Sequence, residues 1–214
     1  MSDPKSIVFV VDDDPLVRDS VADLLGSAGF AAQTFGSATE FIQAKRPDVS
    51  ACLILDVELP DLSGLDLQTD LAKSGVEIPI IFLTGRGDIP KSVRAMKAGA
   101  VEFLTKPFRA QELVDAVRQA LQRDGEFRKQ RSETLKLRER LGTLTPRERQ
   151  VLAWVVTGLL NKQIAGELGT TELTIKAHRG RVMRKMHAAS LADLVRMAEK
   201  LKISPPLRPT STKV

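Results

Sequence analysis

Six side chains that can carry chemistry follow short apolar runs of the sequence, each at the carboxyl end of its run. They are Asp12, Asp13, Asp14, Asp56, Thr84 and Lys106. Carboxylates crowded into one pocket repel one another unless a cation neutralises them, and an oxygen-only ligand set suits a hard divalent ion such as Mg²⁺. One carboxylate could then act as a nucleophile toward a phosphoryl group, while Lys106 and Thr84 offer donors to its oxygens. Each residue alone is more typical of a helix cap or a turn, so the prediction depends on their meeting in one place.

A parallel sheet would bring these six side chains together, and the first half of the chain has the sequence pattern of a parallel sheet. Five apolar runs alternate with five amphipathic stretches at helical spacing. The predicted strands are Ile7–Val11, Phe30–Phe35, Cys52–Leu55, Ile78–Leu83 and Val101–Leu104. The predicted helices are Leu16–Ala28, Ser37–Lys45, Gly64–Lys73, Ile89–Ala98 and Ala110–Arg123. This alternation predicts a doubly wound (βα)5 α/β fold of the flavodoxin-like type, in which ligands bind at the carboxyl ends of the strands.

The second half has no strand pattern and predicts an all-α domain of four short helices. Thr145 begins the first helix, Asn161 caps the second, Thr171 caps the third, and the fourth runs from about Leu191 to Leu201. A tight glycine-marked turn between the second and third helices suggests a helix-turn-helix. Residues 123–142, between the halves, are charged and favour a solvated helical linker over a coiled coil. The proline-rich residues 204–214 predict a disordered tail.

The 214-residue chain also divides sharply in charge. Residues 1–122 hold 12 Lys/Arg and 18 Asp/Glu, a net charge of −6, whereas residues 123–214 hold 20 and 9, a net charge of +11. A basic half of this size is typical of a domain that binds a polyanion. No apolar stretch is long enough for a transmembrane helix, Met1–Ser6 shows no secretory signal, and the single cysteine, Cys52, excludes a disulfide framework. These features predict a soluble protein of a reducing cytoplasm.

Residues 5–122 resemble the receiver domain of bacterial two-component response regulators. The motifs that carry the resemblance are Val10-Val11-Asp12-Asp13-Asp14, Leu55-Asp56-Val57-Glu58-Leu59-Pro60 with Gly64, Leu83-Thr84-Gly85, and Phe103-Leu104-Thr105-Lys106-Pro107-Phe108. The resemblance implies that Asp56 accepts a phosphoryl group and that the peptide bond before Pro107 is cis.

The other functional positions of that family can be carried over residue by residue. The matching positions are Asp12 and Asp13, with Asp56 and the backbone carbonyl of Glu58, for Mg²⁺; Lys106 and Thr84 for the phosphate; and Phe103 for the ring that turns inward when Thr84 moves toward the phosphoryl group. The sequence leaves two points open. Asp14 is an alternative member of the acidic pair, although it is more typical of a helix cap. The Glu58 side chain adds a carboxylate that could change the lifetime of the phosphoryl group.

The third helix of the basic half has the residues of a DNA-reading helix. Apolar residues on one side would pack it onto the domain, leaving small and basic residues on its open face, where close approach to the major groove is possible. The residues predicted to meet DNA are Lys176, Ala177, Arg179 and Gly180 on this helix and Lys162 on the preceding one. A basic face is more often a solvated surface, but the preceding helix-turn-helix favours DNA binding.

Residues 143–203 resemble the LuxR-type helix-turn-helix. The resemblance rests on Leu144-Thr145-Pro146-Arg147-Glu148-Arg149-Gln150-Val151-Leu152, Asn161-Lys162-Gln163-Ile164-Ala165 and Thr174-Ile175-Lys176-Ala177-His178-Arg179. A receiver followed by this domain is typical of the FixJ/NarL class of response regulators, and the segment Thr84–Pro90 is similar in particular to the FixJ branch. Within that class, Lys176, Ala177 and Gly180 match positions that face base edges, while Arg179 and Lys162 match backbone contacts.

Together the two resemblances imply a cytoplasmic transcriptional regulator switched by phosphorylation of Asp56. The implied partners are a sensor histidine kinase, double-stranded promoter DNA, a second copy of the chain bound through the surface Ile89–Leu104, and RNA polymerase. The resemblances imply neither membrane binding nor an enzymatic activity. One alternative is a constitutive DNA-binding protein whose receiver is only a scaffold. Another is an Asp-nucleophile phosphohydrolase fused to a DNA-binding tail, with Glu58 as its second general acid.

Overall fold

The computed structural model describes residues 6–85 and 89–203, and the chain divides into two compact units between Arg128 and Lys129. The predicted disordered tail and the Arg86–Asp88 part of the FixJ-like segment lie outside the described residues. Within the described residues, no helix combines the length and the apolar composition that a membrane span needs.

The first unit contains a five-stranded parallel sheet with the order β2-β1-β3-β4-β5. Its strands are β1 Ser6–Val11, β2 Ala31–Phe35, β3 Ser50–Asp56, β4 Ile80–Thr84 and β5 Glu102–Thr105. Its helices are α1 Pro15–Ser27, α2 Ala38–Gln43, α3 Gly64–Lys73, α4 Ile89–Lys97 and α5 Ala110–Gly142, the last of which continues into the second unit. The structure thus confirms the doubly wound fold.

The sheet is buried on both faces because apolar residues cover it on both sides. In β1, Ile7, Phe9 and Val11 belong to one apolar cluster, and Val8 and Val10 belong to another on the opposite face. Successive side chains of a strand point to opposite faces, so a strand that is buried on both sides must be apolar at every position. This is why the central strands read as continuous apolar runs.

The long helix α5 passes without interruption through the segment that the sequence assigns to a linker. In contrast to the solvated linker predicted there, Asp124 is buried and its carboxylate accepts a hydrogen bond of 2.9 Å from the backbone N–H of Ala51. The hydroxyl of Ser50 donates to the carbonyl of Leu121 at 3.1 Å. These contacts occupy polar groups at the start of β3, which is why a charged residue of the helix can be buried.

In the second unit, the residues that the structure describes form four further helices around one apolar core. They are α6 Pro146–Val155, α7 Asn161–Glu167, α8 Glu172–Met186 and α9 Leu191–Lys200. Thr145 caps α6 in a capping box with Glu148, and Thr171 caps α8, as the sequence predicts. The prediction that Asn161 caps α7 is wrong.

Asn161 is instead the first residue of α7, and Leu160 occupies the cap position. The backbone N–H of Leu160 donates to the side-chain oxygen of Gln163 at 2.9 Å. The Asn161 side chain accepts a hydrogen bond from the guanidinium of Arg179 on α8 at 3.2 Å. The Asn161 side-chain oxygen, which the local pattern assigned to the helix cap, is therefore used in a tertiary contact with Arg179.

Candidate functional site

The strand register aligns the carboxyl ends of the strands, which carry the predicted site residues. Val11 pairs with Leu55, Asp56 with Leu83, and Thr84 with Thr105. The residues at or just after the ends of β1, β3, β4 and β5 therefore lie along one edge of the sheet, beside the point where the strand order reverses between β1 and β3.

Three carboxylates meet at this edge. Ligand oxygens of Asp12, Asp13 and Asp56 all lie within 4.8 Å of one another, a spacing that could hold a metal ion. Asp12 is 1% exposed and Asp56 is 7% exposed, whereas Asp13 is open to solvent. We call these three residues the acidic cluster. Its oxygen-only donors fit a hard divalent cation such as Mg²⁺, whose ligands sit at about 2.1 Å.

Lys106 bridges two members of the acidic cluster. Its ammonium lies 2.6 Å from a carboxylate oxygen of Asp12 and 2.6 Å from one of Asp56. Burial disfavours the Lys106 ammonium, but its hydrogen bonds and the charges of both carboxylates outweigh burial and raise the lysine pKa above its usual 10.5. Burial also raises the pKa of Asp12, against the opposing hydrogen bond from Lys106. Lys106 is therefore held as a cation at the site.

Backbone groups fix the two buried carboxylates. The second oxygen of Asp12 accepts from the N–H of Asp14 at 3.0 Å, and the second oxygen of Asp56 accepts from the N–H of Glu58 at 3.0 Å. The Asp14 carboxylate caps α1 by accepting from the N–H of Leu16 at 2.9 Å. The structure thus places Asp14 as a cap, outside the acidic cluster, and this placement supports Asp12 and Asp13 as the pair.

Arg18 is a contributor that sequence reasoning missed. Its guanidinium donates to the backbone carbonyl of Asp12 at 2.6 Å and so holds the loop that carries the acidic cluster. A cation in the first turn of a helix is unfavourable with the helix dipole. That unfavourable position, in α1, is a signal by which Arg18 could have been found.

Gly64 is required by a close approach of two backbone segments. A Cβ atom at this position would lie 2.2 Å from the backbone carbonyl oxygen of Asp56. The Gly64 N–H donates to the carbonyl of Val57 at 3.0 Å, which closes the loop between β3 and α3. The glycine of the motif therefore lets the start of α3 pack directly against the strand end that presents Asp56.

The remaining predicted residues of the first unit lie around the acidic cluster. Thr84 is buried at the end of β4, and its carbonyl accepts from the N–H of Lys106 at 2.7 Å. Phe103 is half-buried, with its ring centroid 6.1 Å from that of Phe82. The peptide bond between Lys106 and Pro107 is cis, as the resemblance implies.

The Glu58 side chain does not join the acidic cluster. Its carboxylate is exposed and lies 3.1 Å from the ammonium of Lys91 on α4. Only the backbone of Glu58 contacts the site, through the hydrogen bond to Asp56. This geometry does not support a second general acid at Glu58, which the phosphohydrolase alternative requires.

The second unit presents the open helix face that the sequence predicts. Ile175, Val182 and Met186 of α8 are buried in the core of this unit. The predicted DNA-facing residues that are exposed are Lys162, Lys176, Ala177 and Gly180. Arg179 is half-buried because its guanidinium bonds to Asn161, so it is less free than the sequence suggests.

Comparisons with known proteins find matches for both units of the chain. The family model described as "Response regulator receiver domain" matches residues 8–118, and the one described as "Bacterial regulatory proteins, luxR family" matches residues 142–198. Nodulation protein W of Bradyrhizobium diazoefficiens is 56% identical over 200 residues, which cover 94% of this chain and 88% of that protein. The transcriptional regulatory protein FixJ of Azorhizobium caulinodans is 44% identical, over 91% of this chain and 93% of that protein.

Solved structures show the same relationship. The response regulator StyR is 50% identical with a TM-score of 0.80, over 91% of this chain and 98% of that one. Full-length FixJ from B. japonicum is 37% identical with a TM-score of 0.56, over 94% of this chain and 98% of that one. The resemblance to the FixJ/NarL class is thereby confirmed, and the chain belongs to the response regulators of two-component systems, as a DNA-binding transcription regulator with a receiver domain and a LuxR-type domain rather than an enzyme.

Proposed function

We propose that Asp56 accepts a phosphoryl group from a sensor histidine kinase and that this event controls promoter binding by α8. The observation that carries the proposal is the Asp56 carboxylate at the end of β3, 2.6 Å from the Lys106 ammonium and beside Asp12 and Asp13. In the transfer, an Asp56 oxygen forms a bond to phosphorus while the bond from phosphorus to the donor breaks, and the donor leaves with that electron pair.

The charges of the site support Mg²⁺ as the cofactor. Three carboxylates and the Lys106 ammonium leave a net charge of −2, which one divalent cation would neutralise. We assign its protein ligands to Asp12, Asp13, Asp56 and the backbone carbonyl of Glu58. When bound, Mg²⁺ would supply positive charge next to the phosphoryl oxygens. The Lys106 ammonium and the Thr84 hydroxyl would contact further phosphoryl oxygens.

We propose the surface Ile89–Leu104 as the contact between two copies of the phosphorylated chain. Ile89, Val93 and Met96 of α4 are exposed large apolar residues spaced as neighbours on one side of the helix. Exposed apolar side chains that are adjacent favour burial against a partner. Thr84 and Phe103, on the neighbouring strands β4 and β5, would transmit phosphorylation to this surface.

For DNA binding we assign base contacts to Lys176, Ala177 and Gly180, and phosphate contacts to Lys162 and Arg179. A Cβ at Gly180 would meet nothing within 4 Å, so this position leaves room for close approach to a base edge. A dimer that neutralises roughly 6–10 phosphates should lose affinity with a log–log salt slope of about −5 to −9. A flat salt response would contradict the groove-docking assignment. RNA polymerase would be a further partner at the promoter. We place the protein in the cytoplasm, where promoter DNA and RNA polymerase are found.

The test is the intact mass of the protein after incubation with Mg²⁺ and a small-molecule phosphodonor. Wild type should gain one phosphoryl adduct, and Asp56→Asn should gain none because the acceptor oxygen is replaced by an amide. Asp14→Asn is a matched control on the same edge of the sheet, since Asp14 only caps α1. This control should keep the adduct and its dependence on Mg²⁺, whereas Asp13→Asn should need more Mg²⁺.

An unmodified wild-type protein would contradict the proposal. Control of DNA binding would then lie outside Asp56, and the receiver would be the dimerisation scaffold of the alternative hypothesis. A wild-type adduct that persists in Asp56→Asn would place the acceptor on another residue.

A further inference from the structure

We propose that three side chains of the segment following Asp56 hold α4 in its position in the unphosphorylated chain, so that phosphorylation releases this helix by moving that segment. The three side chains, which we call the α4 anchors, are Glu58, Asp66 and Gln68. The proposal rests on phosphoryl acceptance by Asp56, and it assigns positioning roles to three side chains that lie outside the acidic cluster. Of the three, Gln68 is the principal anchor.

Apolar packing contributes little to the placement of α4. Of its nine residues, all of them described, only Ala95 is buried. Ile89, the most exposed of its large apolar residues, is 75% exposed. By contrast, five residues of α3 are buried. Because burial of apolar area is the usual force that fixes a helix on a sheet, polar contacts must provide a larger share for α4.

The α4 anchors contact α4 along its length. The Glu58 carboxylate lies 3.1 Å from the ammonium of Lys91 in the first turn. The Asp66 carboxylate lies 3.4 Å from the guanidinium of Arg94 in the middle. All of these contacts come from residues 58–68, the stretch between the phosphoacceptor and the middle of α3.

Gln68 holds the carboxyl end of the helix. Its side-chain amide nitrogen donates to the carbonyls of Ala95 and Ala98, both at 3.3 Å. The Ala95 carbonyl also accepts from the N–H of Ala100, just past the helix, at 3.1 Å. Gln68 is only 6% exposed, so the donor of both hydrogen bonds is buried. Buried hydrogen bonds contribute more than ion pairs in water, and the two ion pairs are about half exposed. Gln68 is therefore expected to contribute most of the anchoring, while the ion pairs orient the helix.

The α4 anchors are connected to Asp56 through the backbone. The N–H of Glu58 donates to an Asp56 carboxylate oxygen at 3.0 Å, and Gly64 lies against the Asp56 carbonyl. Addition of a phosphoryl group changes the charge and the size of that hydrogen-bond acceptor. We expect residues 58–68 to move in response. The contacts of the α4 anchors favour the unphosphorylated position of α4, so they are lost when the phosphorylated position is populated.

Hydrogen exchange of the α4 amides, measured on the full chain with and without phosphodonor, tests the proposal. In Gln68→Met, which keeps the side-chain length and removes the donor, the α4 amides should exchange about tenfold faster than in wild type without phosphodonor. In wild type they should become faster on phosphorylation, and in Gln68→Met phosphorylation should change them less. Arg94→Gln, at an exposed position that does not endanger folding, should give a smaller change of about two- to fivefold.

The matched control is Asp70→Asn on α3. Asp70 forms an exposed ion pair with Lys73 of the same helix, so its loss should leave exchange in α4 unchanged. If both Gln68→Met and Arg94→Gln exchange like wild type, or if phosphorylated wild type shows no change in α4, the anchoring role is wrong although the mass adduct on Asp56 stands. A wild-type protein without a mass adduct would instead overturn the proposed function, and with it the release by phosphorylation.

Discussion

The ion pair between Glu148 and Lys185 should contribute a large part of the stability of the DNA-binding unit. The Glu148 carboxylate is 2% exposed and lies 2.7 Å from the Lys185 ammonium. It also accepts a hydrogen bond of 2.9 Å from the N–H of Thr145. The hydrogen bond from Lys185, followed by that from Thr145, lowers the pKa of Glu148 from 4.5 to about 2. The perturbation is Glu148→Gln, which keeps an acceptor for Thr145 and removes the charge.

The magnitude follows from linkage between protonation and folding. A pKa lowered by about 2.5 units corresponds to roughly 3 kcal/mol at 1.36 kcal/mol per unit. Lys185 is 35% exposed, so water weakens the pair, and the glutamine keeps the acceptor for Thr145, which supplies part of the lowering of the pKa. We therefore expect a loss of about 1–2 kcal/mol at pH 7 in Glu148→Gln. For a unit of this size such a loss lowers Tm by about 5–15 °C. Lys185→Met should destabilise more, by about 3–5 kcal/mol, because it leaves a buried carboxylate without its cation.

The pH dependence has a definite sign. A carboxylate whose pKa is lowered by folding stabilises the native state above its unfolded pKa of 4.5, and the contribution is lost as pH falls toward 2. Wild type should therefore lose this stability between about pH 5 and pH 2, and Glu148→Gln should lack that part of the pH dependence.

Tryptophan fluorescence is the assay, because the only tryptophan of the chain, Trp154, is buried in the same core as the α6 and α8 residues. Glu133→Gln removes an exposed ion pair with Lys200 in the same unit and should leave the unfolding midpoint unchanged. A Glu148→Gln protein that unfolds with the midpoint and the pH profile of wild type would refute this account of the pair.

Three further outcomes are expected. Gly64→Ala should destabilise the receiver by about 1–3 kcal/mol in denaturant unfolding and reduce the mass adduct at fixed phosphodonor, because the new Cβ would meet the Asp56 carbonyl; an unchanged midpoint would contradict the close approach. Lys176→Ala should weaken operator binding by about 1–3 kcal/mol and alter preference at one base position in a binding-site selection assay, whereas a uniform loss over all sequences would assign Lys176 to a phosphate. Burial raises the pKa of the Cys52 thiol to about 12, so a thiol reagent at pH 8 should label it only after unfolding, and rapid labelling of the native protein would be inconsistent with that burial.

Local pattern was sufficient for most of the fold. Strands buried on both faces must be apolar at every position, and helices on a core must repeat every three to four residues, so both kinds of element could be located from the sequence alone. Helix starts at Asp14, Thr145 and Thr171 were also predictable, since a cap involves only residues two or three positions apart. Once a strand is located in the sequence, the polar residue at its carboxyl end is located as well.

Contacts between distant segments were not predictable in the same way. The burial of Asp124 depends on a hydrogen bond to β3, and the use of Asn161 by Arg179 depends on how α7 lies against α8. Nothing in the neighbouring residues marks either contact, because hydrogen bonds across a fold depend on the distance and angle between elements rather than on spacing in the chain.

The sequence by itself determined which groups could do chemistry and at which strand ends they stand. Only the tertiary structure decided which groups meet: the register of β1 beside β3 brings Asp12 next to Asp56, and the loop closed at Gly64 directs the Glu58 side chain outward to Lys91. It also places the Gln68 amide within hydrogen-bond distance of the Ala95 and Ala98 carbonyls at the end of α4. Side-chain identity is a local property, whereas the meeting of charges and hydrogen-bond partners depends on strand order and packing, which are set by the whole chain.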